Sequence, residues 1–430
     1  MNSTSVKSYT FPEKSYDTNI NACGFTSSIF KTQRETKTLS NKLLVHGQGV
    51  FIFKVDKNTT STSFSIRNSK SANSKHNGIQ VTLTEDNVVV TDLFTGEKLN
   101  DPNNNKGLND ADGAFYWFSL DSQNQCLLCG VGEARLDTII YKYSYPTDNP
   151  QGSTLTKLIL ESLNNINYYY EITPIRLLRD PIVAKVPLFV KDKNDLTMTD
   201  IAEGKILPSA NLNSVGNQLY ECVSGEKFVL NTPDFPDFSE AIEYSIKTPG
   251  CWCNTTLQNK SREFNKDKPN IKETYLRITI GKNDGESPGI PYVMEIWPVG
   301  HYSPIHSHSD ANAIIRVLHG TIHVELYPFL CGNNEEKVIN PFGEVDFVKD
   351  DVTWISPYLN QVHKLTNLEN STDTCITIQC YLYGKLDNRH YDYFDYIDNT
   401  GKIEHYTPDS DMGFLEFKQK MKDEWEARKN

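Results

Sequence analysis

Short β-prone runs broken by clusters of turn residues recur through this chain, and that rhythm limits its fold more than any other feature. The first series contains Leu43–Val55, Ser63-Phe-Ser-Ile66, Ile79-Gln-Val-Thr-Leu-Thr84, Val88–Phe94, Ala114-Phe-Tyr-Trp-Phe-Ser-Leu120, Cys126–Gly132 and Thr138–Tyr145. Lys57-Asn-Thr-Thr60, Asp101-Pro-Asn-Asn-Asn105 and Asp148-Asn-Pro-Gln-Gly152 punctuate it. Runs this short, rich in β-branched and aromatic residues and closed by Asn, Pro and Gly, predict an antiparallel β-sandwich. A second series runs through Tyr275-Leu-Arg-Ile-Thr-Ile280, Tyr292-Val-Met-Glu-Ile-Trp297, Ala313–Leu318, Thr321–Tyr327, Val352–Ile355, Val362–Leu365 and Cys375–Tyr383.

These two series divide the 430 residues into an expected loose polar tail at 1–38, a sandwich domain of unassigned role at 39–205, a connector at 206–222 and a second β domain at 223–430. The second domain is expected to be a jelly-roll barrel of the cupin type. The fold class is therefore all-β, with a few peripheral helices. One is expected from Asp237 to Ile246, capped by Asp237 or Ser239 and ended by Pro249-Gly250. Another is expected around Thr256–Phe264, and a charged one within Asp411–Lys429.

The bulk numbers exclude some functions. A formal charge of -12 leaves no basic footprint for nucleic acid. No apolar run is long enough to span a membrane, and the first residues do not read as a signal peptide. Nine irregularly spaced cysteines suit reduced thiols, so the expected location is cytoplasmic. Cys126 and Cys129 point to opposite faces of a strand and are read as structural. Cys251-Trp-Cys253 is read as a turn beside a packed tryptophan. Tyr116 and Trp117 could stack on a carbohydrate or other small ligand if exposed, but a core position is the favoured reading.

Chemistry concentrates in Trp297-Pro-Val-Gly300-His-Tyr-Ser-Pro304-Ile-His306-Ser-His308. Histidines at i and i+2 of a strand share a face and can chelate one divalent ion. His363, on a later strand entered through Ile355-Ser-Pro357, is the candidate third ligand. Cupin frames ordinarily carry a glutamate a few residues after the histidine pair, but here that slot holds Ala313. The expected donor set is three neutral imidazoles, which suit Fe, Zn, Cu or Ni. An ion so held keeps its full charge and favours a thiolate ligand. Glu295 and Glu325 are read as outward-facing strand carboxylates.

From Tyr275 to Tyr383, and most specifically from Trp297 to Gly320, the chain resembles the type I cysteine dioxygenases, iron cupins that convert L-cysteine to cysteine sulfinate. The resemblance implies Fe(II) on His306, His308 and His363, with a small thiol and O₂ as substrates. It implies that Arg277, beside Tyr275, grips the substrate carboxylate. It also implies that the Tyr383 hydroxyl faces the bound substrate. The chain departs from the pattern in three places. Ala313 stands where some members crosslink a cysteine to the tyrosine, so no thioether cofactor is expected. Tyr381 replaces a histidine and Gln379 a serine, which opens the alternative of another thiol, such as 3-mercaptopropionate or cysteamine. A non-catalytic cupin sensor that holds a metal or thiol is the alternative from a different class.

Overall fold

The computed structural model describes residues 40–429 except 57, 68–77, 94, 109–113, 145–164, 170–172, 282–290, 309, 332–339 and 384–393. The expected tail at 1–38 lies outside the described residues. The chain forms two compact units that divide at Lys185/Val186.

The first unit is an antiparallel β-sandwich. One sheet runs in the order Ser40–Lys42, Asn165–Tyr169, Ser61–Arg67, Gly78–Thr84, Val88–Asp92, Lys98–Leu99. The other runs Thr173–Leu178, Gln48–Lys54, Phe115–Asp121, Cys126–Val131, Ile139–Ser144. Phe51, Phe53, Phe64 and Phe118 meet in its core with centroid separations of 4.6–5.7 Å. Tyr116 and Trp117 are 1% and 0% exposed, so neither offers a stacking face to a ligand. The Trp117 indole lies against Gly130, its cross-strand partner, and donates to the Thr138 hydroxyl at 3.1 Å. Gly130 permits this approach because it has no side chain.

The second unit is a jelly-roll of two six-stranded sheets, the cupin architecture. The first sheet has the order Val352–Ile355, Asn312–His319, Cys375–Leu382, Tyr292–Trp297, Leu276–Gly281, Met412–Gly413. The second has the order Gly343–Val348, Thr321–Tyr327, Val362–Thr366, His306–Ser307, Phe394–Ile397, Ile403–Tyr406. The hairpin between Asn312–His319 and Thr321–Tyr327 turns at Gly320, whose φ is 72°. A Cβ there would stand 2.7 Å from the Thr374 carbonyl oxygen.

Helices cover the outer face of the first sheet. Phe238–Lys247 packs on Phe414–Ala427 through Phe238 and Phe417, while Ser214–Val223 lies on Asn312–His319. Ile314, Leu318, Ile376, Ile378, Met294 and Ile278 join these helices in one core. Alternate residues of the same strands, Val317, Cys375, Trp297 and Tyr275, point the other way into the barrel. With both faces covered, these strands read as nearly continuous buried runs.

Three expectations change here. Residues 206–222 are no connector: the amphipathic helix Ser214–Val223 buries Leu219 and Val223 in the barrel unit, and the strand Phe189–Lys191 pairs in parallel with Ile206–Pro208. The unit therefore begins near Val186, and 186–205 belongs to it rather than to the sandwich. The second peripheral helix starts earlier than its sequence pattern suggested, at Trp252, and runs to Asn259. Cys251 takes the N-cap position, and Cys253 is buried against Met421. Asp237 is the N-cap of Phe238–Lys247 but makes no side-chain capping bond.

Candidate metal centre

The second sheet brings the three histidines together. His306 and His363 are direct cross-strand partners, and His308 follows two residues after His306 on the same side. Their ligating nitrogens all lie within 4.8 Å of one another, and this is a cluster of candidate metal-ligating side chains among the described residues. His306 and His363 are buried, and His308 is partly exposed.

Backbone carbonyls fix two of the rings. A carbonyl only accepts, so the Nδ1–H of His306 donates to Pro304 O at 3.0 Å and that of His363 to Asn360 O at 3.1 Å. Both Nε2 lone pairs are left free to face inward. His308 Nε2 and His363 Nε2 stand 3.2 Å apart. Two imidazole nitrogens each about 2.0–2.1 Å from a shared ion, at angles between octahedral and tetrahedral, are separated by about 2.8–3.4 Å. The His308–His363 spacing thus fits two ligands of one divalent cation, and His306 brings a third donor within 4.8 Å.

Gln361 ties the two ligand-bearing segments together. Its Nε2 donates to Ala311 O at 2.8 Å and to Ser356 O at 2.7 Å, and its Oε1 accepts from the Asp310 N–H at 3.1 Å. Such supports orient ligating rings and tune the ion they hold. The sequence reading missed Gln361, and no motif signals it, since its role depends on a contact between segments fifty residues apart.

Burial and mutual repulsion keep the imidazoles neutral. Burial, with His363 next in weight, lowers His306 to about 3. Burial lowers His363 to about 4. His308 is pushed well down by burial and by His306 and His363. Neutral imidazole is the form that ligates metal.

Aromatic rings wall the triad. Tyr381 stacks on His308 at 5.4 Å and 24°, and Phe394 lies 5.0 Å from His306. Phe394 belongs to the aromatic run Tyr391-Asp-Tyr-Phe-Asp-Tyr396, of which residues 391–393 lie outside the described set. Ala313 is the cross-strand partner of Tyr381. Tyr383 lies one residue beyond the strand Cys375–Leu382 and is half-buried. His301 is buried apart from the triad, with its Nδ1 2.8 Å from Thr274 O. His323 sits on the surface strand Thr321–Tyr327, beside Asp346.

The first sheet supplies a charged pair on its inner face. Arg277 is the cross-strand partner of Glu295, and its Nη1 donates to Glu295 Oε1 at 2.5 Å. The other oxygen, Oε2, accepts from Gln379 Nε2 at 2.5 Å, and the Tyr381 hydroxyl donates to Gln379 Oε1. A continuous set of contacts therefore runs from Arg277 through Glu295, Gln379 and Tyr381 to His308. Glu295 is 3% exposed, which corrects its assignment as an outward carboxylate. It shares the inward phase of Trp297, two residues on, and the outer face is taken by Met294 and Ile296 under the helices. Burial raises its pKa, while Arg277 opposes that shift. Glu325 is outward-facing as expected and pairs with Lys364 at 3.1 Å.

Beside His308 and His363 lies a cavity of about 40 Å³, lined mostly by aliphatic side chains that include Ile315, Val317 and Leu365, with Gln379 at its edge.

No protein-family model matches the chain. Among solved structures, the cupin domain of Schizosaccharomyces pombe Cnp3 is 14% identical, with 26% of this chain and 68% of that chain covered at a TM-score of 0.21. A cupin-like protein from Thermotoga maritima is 14% identical over 29% of this chain and 76% of its own, also at 0.21. An L-ribose isomerase from Cellulomonas parahominis is 11% identical over 32% and 74%, at 0.22. The strand order of the barrel unit is that of a cupin-type jelly-roll, and its three clustered histidines form a candidate metal centre.

Proposed function

We propose that the barrel unit is an iron-dependent thiol dioxygenase, which joins a small thiol and O₂ to give a sulfinic acid. The reaction balances without a co-reactant: RSH + O₂ gives RSO₂H, with both oxygen atoms on sulfur. The observation that carries this reading is the buried donor set of three neutral imidazoles with no carboxylate in it. Such a set leaves a divalent ion its full charge, which favours a thiolate partner. Ferrous iron held by His306, His308 and His363 would supply redox chemistry and open positions for the substrates.

The chain's own residues position and shield. The carbonyls of Pro304 and Asn360 hold two imidazoles with Nε2 inward. Tyr381 and Phe394 fix ring orientation and exclude water beside the triad. In this reading Arg277 and Tyr275 border the substrate on the inner face, and Tyr383 carries the hydroxyl that faces it. L-cysteine is the substrate that the family resemblance implies. The Arg277–Glu295 pair favours the second reading in the form of a thiol without a carboxylate, such as cysteamine and not 3-mercaptopropionate, because the guanidinium already holds a carboxylate.

The test is O₂ consumption by anaerobically purified, Fe(II)-loaded protein with a panel of thiols, and mass spectrometry of the products. The expected result is thiol-dependent uptake with two oxygens gained on sulfur, abolished in His363→Ala. Iron binding with no uptake for any thiol would leave a non-catalytic cupin.

A further inference from the structure

The inner face of the first sheet presents a cation and an anion that satisfy each other. Arg277 donates to one oxygen of Glu295, and Gln379 occupies the other. Both charged side chains are almost fully buried, at 10% and 4% exposure. The pair connects to the triad through Gln379, which accepts from the Tyr381 hydroxyl, and through the Tyr381 ring, which stacks on His308 at 5.4 Å. A ligand carboxylate at this guanidinium must either displace Glu295, which leaves a buried anion unpaired, or sit beside it as a second anion in a poorly solvated site. Both are costly. The space beside His308 and His363 is lined mostly by aliphatic side chains, Ile315, Val317 and Leu365 among them, and its one acidic side chain is Asp351, so it offers a second carboxylate no counter-charge.

We infer that this site selects a small thiol without a carboxylate, with Glu295 as the residue that excludes carboxylate-bearing thiols. The inference rests on the thiol dioxygenase reading and names its substrate class. Glu295 acts by occupying Arg277 with an internal carboxylate. Gln379 holds Glu295 in that position, and Tyr381 joins this network to the ring of His308.

The test uses the full chain loaded with Co(II) under anaerobic conditions, so that thiol binding is read from the thiolate-to-cobalt absorption band without turnover. The probes are cysteamine, 1-propanethiol, L-cysteine and 3-mercaptopropionate. Cysteamine and propanethiol should bind at least about tenfold more tightly than the two acids. In Glu295→Gln, which keeps the shape and an acceptor for Gln379, that preference should shrink or reverse as the acids gain affinity. Equal or tighter binding of the acids by the unaltered protein would overturn the inference and leave the thiol reading intact. Co(II) uptake with no band from any thiol would overturn the thiol reading, and the substrate class with it.

Discussion

Arg277 and Glu295 form the test case for how this barrel tolerates charge in its interior. Removing one partner strands the other in a low-dielectric site, so Arg277→Met and Glu295→Leu should each cost about 3–5 kcal/mol of unfolding free energy. Glu295→Leu also deprives Gln379 Nε2 of its short acceptor, leaving the Thr377 hydroxyl at 3.4 Å. That weaker bond adds about 1 kcal/mol. The double variant fills the same space with apolar groups and strands no charge, so it should fall within about 2 kcal/mol of the unaltered protein. The cycle then shows a coupling of at least about 4 kcal/mol. The assay is urea unfolding of metal-free protein followed by tryptophan fluorescence. Four of the five tryptophans, Trp252, Trp297, Trp354 and Trp425, lie in the barrel unit, and Trp297 stacks on Tyr275 beside Arg277. Metal is left out so that ligand binding does not mask the loss. Single-variant losses that simply add in the double variant would refute the reasoning.

The sandwich and the metal centre each give a further prediction. In Gly130→Ala the new methyl would stand 2.2 Å from the Trp117 ring, so the sandwich should lose at least about 2 kcal/mol, read as a lower thermal midpoint with altered Trp117 emission; an unchanged midpoint would show that the indole does not seat there. The depressed histidine values fix the sign of a pH effect. The neutral, ligating imidazole persists as pH falls through the ordinary 6.5 and is lost toward about 4 for His363 and about 3 for His306. Zn(II) stoichiometry should therefore match at about pH 5.5 and about pH 7.5. Loss of Zn(II) already near pH 6 would contradict the buried, neutral triad. In the metal-free protein the same depression contributes stability that is complete above 6.5 and is lost as pH falls toward the folded-state values.

The sequence by itself determined much of this protein. Strand periodicity and turn clusters define an all-β chain with two β series, and the spacing His306-x-His308 with His363 marks the residues that meet. Those features are local: alternation along a strand follows from backbone geometry, and two histidines at i and i+2 share a side wherever the strand is placed. Other features were decided by tertiary structure. The segment 206–222 reads as a connector until the helix Ser214–Val223 is seen to bury Leu219 and Val223 on the barrel. Glu295 reads as a surface carboxylate because an antiparallel strand usually wets one face. Helices cover the outer face of this sheet, so its alternation separates two interiors rather than core from water. Which interior a side chain enters depends on what packs against each face, and the pairing of Glu295 with Arg277 depends on strand register; neither is encoded within a single strand.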